Sequence, residues 1–135
     1  MKKINSICII DDDPITVFGI KKILSKIVTW DEMHTYANGK MAIEGIKELV
    51  ENEKLPGIIF LDINMPIMDG WQFLEEFIQL PIPKKIQINI ITSSIDPADK
   101  CKAEHYTANT HHNITFKNKP IKLSEIQTVT KVLEA

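Results

Sequence analysis

Carboxylate, hydroxyl and ammonium side chains follow several apolar segments of this chain, at the point where each segment ends. Asp11 and Asp12 follow the first segment, Asp62 follows another, and Thr92 and Lys119 follow two later ones. An ionised carboxylate is costly to bury unless it is paired, protonated or bound to a metal. Mg²⁺, which prefers oxygen ligands, would relieve the repulsion among three carboxylates, and Lys119 would offset the remaining charge. With a hydroxyl donor added, such a set suits phosphoryl transfer, which depends on positioning and charge stabilisation.

The segments that must position these side chains alternate between strand-like and helix-like patterns. Strands are predicted over residues 4–10, 33–36, 58–62, 86–91 and 114–117. Helices are predicted from 14 to about 28, over 41–50, from 70 towards 80, from 97 to about 106 and over 123–133. This alternation indicates a parallel sheet with helices on both faces. In such a sheet the strands end at a common edge, where ligands bind.

Composition narrows the possible functions. The 135 residues suit one domain, and the net charge of −2 argues against a broad surface for nucleic acid. The apolar runs are far shorter than the roughly 20 residues that span a membrane, and the start does not resemble a signal peptide. Cys8 and Cys101 are expected to be free thiols in a reducing cytoplasm. The four histidines have no metal-site spacing, so we expect His111 and His112 in a solvated polar loop.

Four short motifs follow one another along the chain. They are IIDDDP at 9–14, LDINMPIMDG at 61–70, ITS at 91–93 and KP at 119–120. Taken in this order, they resemble the receiver domain of bacterial two-component response regulators. The resemblance covers nearly the whole chain. It implies a flavodoxin-like, doubly wound α/β fold with five parallel strands in the order 2-1-3-4-5 and five helices on both faces. The polar segment 106–113 departs from the Gly-Ala turn that most receivers carry before the fifth strand.

The resemblance also implies a role for each residue of the acidic site. Asp62 would accept a phosphoryl group from a histidine kinase or a histidine phosphotransfer protein. Asp12 and Asp62 would be side-chain ligands of Mg²⁺, Asp11 would complete the acidic pocket, and Asn64 would contribute its main-chain carbonyl. Lys119 would contact the phosphoryl group.

Three further positions would serve the response to phosphorylation. Thr92 would bond the acyl phosphate, and Phe116 matches the switch aromatic of the family. Pro120 would follow a cis peptide bond, which proline tolerates. The surface of the fourth helix, fifth strand and fifth helix would then change its affinity for a protein partner whose identity the sequence leaves open.

Taken together, these features predict a single receiver domain over 1–135 with no output domain, similar to chemotaxis-type regulators or phosphorelay intermediates. It would catalyse only acceptance and slow hydrolysis of its own phosphate, in the cytoplasm, without nucleic acid or membrane partners. Two alternatives stay open. Asp62-Ile63-Asn64 faintly resembles the motif of haloacid-dehalogenase-like phosphatases, although here it follows the third strand and no cap segment is evident. A receiver that binds partners without phosphate is the other.

Overall fold

Five strands and five helices alternate along residues 1–131, the part of the chain that this computed structural model describes. The strands are β1 (Lys2–Ile10), β2 (Val28–Tyr36), β3 (Ile58–Leu61), β4 (Gln87–Thr92) and β5 (Asn113–Asn118). The helices are α1 (Pro14–Ile27), α2 (Gly39–Glu51), α3 (Gly70–Phe77), α4 (Pro97–Ala108) and α5 (Leu123–Lys131). The predicted helical positions Val132 and Leu133 lie outside the described residues.

All five strands are parallel and form one sheet with the order β2-β1-β3-β4-β5. The strand order reverses beside β1, which makes the gap between β1 and β3 the switch point of the sheet. The predicted flavodoxin-like doubly wound fold is therefore confirmed. Since the strands are parallel, their carboxyl ends share one edge, which we call the carboxyl edge. Their amino ends share the opposite edge, the amino edge.

The core consists of two apolar layers, one on each face of the sheet. Side chains of α2, α3 and α4 pack on one face, including Ile46, Phe73, Phe77 and Ala103. Side chains of α1 and α5 pack on the other, including Ile20, Leu24, Ile126 and Val129. All residues of β3 and β4 are buried, as expected for strands covered on both faces. The rigid sheet between these layers fixes where each strand ends.

Helix starts follow the capping signals in the sequence. The Asp13 side chain accepts a hydrogen bond from the Ile15 N–H at 3.0 Å, immediately before the proline that begins α1. Asp96 caps α4 in the same way, again with a proline following. The Asp69 side chain accepts from the Gln72 N–H at 2.8 Å in a capping box that begins α3. These caps begin three of the helices directly after loops of the carboxyl edge.

The second strand is longer than predicted. It runs over Val28–Tyr36 and begins directly after α1, whereas the sequence pattern indicated a strand only over 33–36. Its first half pairs with the start of β1, from Lys2 opposite Val28 onward. Because β2 is an edge strand, its outward side chains are polar, and Asp31 pairs with Lys3 at 3.1 Å. Those charges hid the strand pattern in the sequence.

His112 also departs from expectation, because it is buried rather than part of a solvated loop. Its side chain is 3% exposed, and its Nδ1 accepts a hydrogen bond from the Ile86 N–H at 3.0 Å. Its ring centroid lies 5.2 Å from that of Phe77. The neighbouring His111 is exposed, as predicted. His112 therefore belongs to the core at the amino edge, between the starts of β4 and β5.

Both cysteines are free thiols, as predicted: Cys8 is buried in β1 and Cys101 is exposed on α4. Across residues 1–131, the helices are all too short or too polar to cross a membrane.

Candidate functional site

Backbone hydrogen bonds extend beyond the strand ends and position the polar side chains of the carboxyl edge. The N–H groups of Asp11 and Asp62 donate to carbonyls of neighbouring strands at 3.0 and 2.9 Å. The Lys119 N–H donates to the Thr92 carbonyl at 2.8 Å. Each of these residues directly follows a strand or ends one. Their side chains therefore occupy places fixed by the sheet rather than by a mobile loop.

Lys119 lies between two buried carboxylates. Its Nζ is 3.1 Å from an oxygen of Asp11 and 3.6 Å from an oxygen of Asp62. Asp62 is 5% exposed, and the Lys119 side chain is 20% exposed. A second oxygen of Asp11 accepts from the Asp13 N–H at 2.9 Å. One ammonium is therefore shared by two carboxylates, and it cannot neutralise both. A net negative charge remains on these buried side chains.

The pKa values of this group reflect that imbalance. Burial, with the nearby charge of Asp11 as the second cause, raises the pKa of Asp62 to about 6, and Lys119 only partly opposes the rise. Burial likewise raises the pKa of Asp11 above its usual value, against the hydrogen bonds from Asp13 and Lys119. Burial alone would lower the pKa of Lys119, but its contacts with Asp11 and Asp62 outweigh burial and raise it. Lys119 therefore stays protonated.

Asp12 completes a cluster of three acids. Carboxylate oxygens of Asp11, Asp12 and Asp62 all lie within 4.8 Å of one another. Asp12 is exposed while the other two are buried, so the cluster opens to solvent on one side. Oxygen donors of this kind, with room for retained waters, fit Mg²⁺ or a similar hard cation. The single charge of Lys119 does not balance three carboxylates, and a divalent cation would.

The loop after Asp62 folds back tightly beneath it. The Gly70 N–H donates to the Ile63 carbonyl at 2.8 Å. A Cβ at Gly70 would collide with the main-chain oxygen of Asp62, so only glycine fits there. Ile67 in this loop has a φ of 71°, a left-handed conformation that is unfavourable for a β-branched residue. Asn64, the predicted carbonyl ligand, is exposed two residues after Asp62.

The residues predicted to sense phosphorylation lie beside the acidic cluster. Thr92 is fully buried at the end of β4, and its hydroxyl accepts a hydrogen bond from the Ser94 N–H at 3.0 Å. Phe116 is half-buried on β5, opposite Ile90, and packs against the core on the side of α4. The peptide bond between Lys119 and Pro120 is cis. Phe116 is thus adjacent to the site through the sheet and not part of it.

Sequence reasoning missed one set of polar contacts near the site. Asp99, in the first turn of α4, accepts hydrogen bonds from Ser94 and from the Trp71 indole N–H. An acid in the first turn of a helix is common for electrostatic reasons. The sequence therefore carried no signal that Asp99 joins two other elements.

The fold and the acidic site together define a receiver domain. The family model described as the response regulator receiver domain matches residues 7–131. The chain belongs to that family. Receiver domains interact with histidine kinases, and an acidic triad such as Asp11, Asp12 and Asp62 is typical of their divalent metal site.

Solved structures agree with this assignment. A two component response regulator from Cytophaga hutchinsonii is 31% identical, with a TM-score of 0.82 over 96% of both chains. The phosphorylated cyanobacterial phytochrome response regulator RcpA is 24% identical, with a TM-score of 0.75 over 95% of this chain and 90% of that one. At that identity the second likeness shows the fold alone.

Curated relatives are similar over part of their length. BvgA of Bordetella pertussis, a putative positive transcription regulator of virulence factors, is 26% identical over 62% of this chain and 37% of its own length. A protein-glutamate methylesterase/protein-glutamine glutaminase of Methanospirillum hungatei is 31% identical over 72% of this chain and 25% of its own length. The chain thus matches about a third or less of these longer proteins.

Proposed function

We propose that this chain is a phosphorylation-controlled switch whose Asp62 accepts a phosphoryl group from a histidine kinase or a histidine phosphotransfer protein. The observation that carries the proposal is the placement of Asp62, buried at the carboxyl edge and 3.6 Å from Lys119. With a pKa of about 6, Asp62 is largely ionised at pH 7 and can act as a nucleophile. Membership of the receiver family supports the same role.

The proposed transfer needs few groups. A carboxylate oxygen of Asp62 attacks the phosphorus of a phosphohistidine, and the new O–P bond forms as the P–N bond breaks. The electron pair leaves on the imidazole nitrogen, which takes up a proton. Lys119 lies where its ammonium can stabilise charge on the phosphoryl oxygens. Later attack of water on phosphorus releases inorganic phosphate and restores Asp62. The chain would thus act on its own phosphate rather than as a metabolic enzyme.

The acidic cluster fits Mg²⁺ through its donor set. We assign Asp12 and Asp62 as side-chain ligands, Asp11 as a ligand through water, and Asn64 as a ligand through its main-chain carbonyl. Carboxylate oxygens within 4.8 Å of one another support this assignment. When bound, Mg²⁺ supplies neutralisation of the charge on the transferring phosphoryl oxygens.

Phosphorylation would change the hydrogen bonding of Thr92. A phosphoryl group adds a charge of roughly −2 and several acceptor oxygens, towards which the Thr92 hydroxyl would turn. Phe116 would then rotate into the space behind Thr92. These changes favour one of two states of the surface formed by α4, β5 and α5, and a bias of a few kcal/mol is enough to shift the population. That surface would bind a downstream protein, or the phosphate would pass onward.

The setting of the switch is part of the proposal. We propose that the receiver domain works in the cytoplasm, where kinase and phosphotransfer proteins meet it. Two free cysteines suit a reducing compartment. The net charge of −2 favours protein partners over nucleic acid.

The test is phosphate uptake. The protein is incubated with Mg²⁺ and acetyl phosphate, and the intact mass is measured. One added phosphate is expected, and none in Asp62→Asn. Asp69→Asn is the matched control, because Asn can still cap α3 and uptake should persist. Failure to take up phosphate from any donor contradicts the proposal. Steady hydrolysis of a phosphomonoester would then favour a phosphatase, and partner binding without phosphate would favour a phosphate-independent module.

A further inference from the structure

We propose that Asp99 is a positioning residue that transmits the state of Thr92 to Trp71, so that the face formed by α3 and α4 responds to phosphorylation. This inference rests on the proposed phosphorylation of Asp62. It adds a second route to the one through Phe116, because α3 is not part of the surface formed by α4, β5 and α5.

The route consists of three consecutive hydrogen bonds. The Thr92 hydroxyl accepts from the Ser94 N–H at 3.0 Å. The Ser94 hydroxyl in turn donates to one carboxylate oxygen of Asp99. The Trp71 indole N–H donates to the other oxygen of Asp99 at 3.0 Å. One carboxylate therefore joins the loop after β4 to the start of α3, across residues far apart in the chain.

Trp71 of α3 contacts several residues of α4. Its indole is 7% exposed and stacks on Tyr106, with ring centroids 5.8 Å apart and planes 14° from parallel. The Lys102 ammonium lies 6.0 Å from the centre of the same indole ring. Within α4 itself only Ala103 is buried, so the helix has little apolar contact of its own. A change at Asp99 therefore alters the environment of Trp71 directly.

Thr92 cannot turn without affecting Ser94. Threonine is β-branched and occupies few side-chain rotamers, so rotation towards a phosphorylated Asp62 moves its oxygen away from the Ser94 N–H. Ser94 is held on its other side as well, because the Asn118 amide donates to its carbonyl at 2.8 Å. Loss of the Thr92 bond leaves Ser94 held by β5, by Asp99 and by the N–H of the residue that caps α4, which donates to the Ser94 hydroxyl at 3.2 Å. A displacement of Ser94 therefore reaches β5 and the start of α4, where Asp99 lies.

Asp99 is suited to this role because it stays ionised. The hydrogen bond from Ser94, followed by that from Trp71, holds the pKa of Asp99 below its usual range. An ionised carboxylate only accepts hydrogen bonds, so it can serve Ser94 and Trp71 at once. Hydrogen bonds to a charged acceptor are also stronger than neutral ones. The connection between Ser94 and Trp71 therefore requires both hydrogen bonds to Asp99, and removing either donor breaks it.

Fluorescence of Trp71 tests the link. The chain has two tryptophans, so Trp30→Phe leaves Trp71 as the only one. Emission is recorded in Mg²⁺ before and after acetyl phosphate, with the phosphorylated fraction taken from the intact mass of the same sample. We expect the emission to change in proportion to that fraction. In Ser94→Ala and in Asp99→Ala, each compared with its own unphosphorylated spectrum, we expect the change to be lost.

Tyr106→Phe is the matched control. It keeps the ring stacked on Trp71 and removes only the hydroxyl that donates to Glu75, which is not part of the route. Its response should equal that of the Trp30→Phe parent. Phosphorylation of the parent without a change at Trp71, or an undiminished change in Ser94→Ala, overturns the inference and leaves the proposed function intact. Absence of phosphate uptake by the parent contradicts the proposed function itself.

Discussion

The two edges of the sheet both bury ionisable side chains, but they do so in opposite ways. At the carboxyl edge, Asp11 and Asp62 share one ammonium, that of Lys119, and burial raises the pKa of both acids. At the amino edge, His112 meets a backbone N–H donor, that of Ile86, and burial lowers its pKa to about 4. Near pH 7, the charged form of Asp62 is retained at the carboxyl edge, whereas the charged form of His112 is excluded at the amino edge.

This difference separates a site for chemistry from a site for stability. The Nδ1 of neutral His112 accepts a hydrogen bond from the start of β4, which places the ring proton on Nε2, a buried atom without a partner among the described residues. Asp62 keeps part of its charge uncompensated, since Lys119 also serves Asp11. A bound cation would stabilise a carboxylate in that condition, and the ionised carboxylate can act as a nucleophile. We therefore expect substitutions at the two edges to change the pH dependence of the unfolding free energy in opposite directions and by different amounts.

The largest effect is expected for Lys119→Met. Breaking a buried pair from one side commonly costs about 3 kcal/mol in the free energy of unfolding, because the remaining charges are unpaired. Asp62 and Asp11 would then titrate at still higher pH. A carboxyl group whose folded pKa exceeds its unfolded value is penalised above the folded pKa and relieved as pH falls through it. Urea unfolding should show the loss at pH 7 and a partial recovery near pH 5.

Lys117→Met is the control for that experiment. Lys117 lies two residues earlier on β5 and makes no ion pair with a described residue. Its replacement should change the unfolding free energy little at either pH. Equal losses in the two variants would show that the acidic site does not depend on the ammonium of Lys119.

The amino edge should lose stability in acid. The pKa of His112 falls from 6.5 to about 4 on folding, so the unfolded chain binds the extra proton more readily. Stability is then fully present above the unfolded pKa and declines as pH falls towards the folded one, by up to about 3 kcal/mol. His112→Asn keeps an acceptor near Nδ1 and does not titrate, so its unfolding free energy should decline less between pH 7 and 4.

His111→Asn gives the comparison. The two rings are adjacent, with centroids 4.1 Å apart, but His111 is exposed. We expect its pH profile to match that of the unaltered protein. A slope that depends on His111 rather than on His112 would contradict the assignment of the amino edge.

An effect of opposite sign is expected for Asp62→Asn. Without metal at pH 7, the substitution removes the cost of burying the charge and, second, the repulsion with Asp11, the two causes that raise the pKa of Asp62 from 3.8 to about 6. The gain in unfolding free energy should be at most about 3 kcal/mol, since the rise is roughly two pKa units and each corresponds to about 1.4 kcal/mol. Saturating Mg²⁺ should reduce the difference by stabilising the unaltered protein more. Asp12→Asn replaces the exposed acid of the cluster and should raise the unfolding free energy less. An equal gain would contradict the claim that burial makes the charge of Asp62 costly.

The residues of the carboxyl edge were predictable from the sequence because the order of strands and helices along the chain determines which residues lie there. Once strands and helices alternate, residues that follow the strands must meet at that edge, and Asp11, Asp62 and Lys119 do. Connectivity alone does not predict which side chains are buried at the amino edge. Burial of His112 depends on its contact with Phe77 of α3, far away in the chain. No local pattern encodes such a contact.

The other omissions have similar causes. Half of β2 was missed because an edge strand places charges such as Asp31 outward and loses the apolar run that marks a central strand. The link from Ser94 through Asp99 to Trp71 joins three elements, and each residue taken alone has a common local explanation. What sequence patterns omit here is the pairing of polar groups across helices.

The most direct test of the account is the location of the phosphate. After treatment with acetyl phosphate and Mg²⁺, borohydride reduces an aspartyl phosphate to homoserine, and peptide masses show which residue was converted. We predict conversion at Asp62 and at no other acid of the carboxyl edge. Conversion at Asp11, Asp12 or Asp69, or at no residue, would contradict the claim that Asp62 accepts the phosphoryl group.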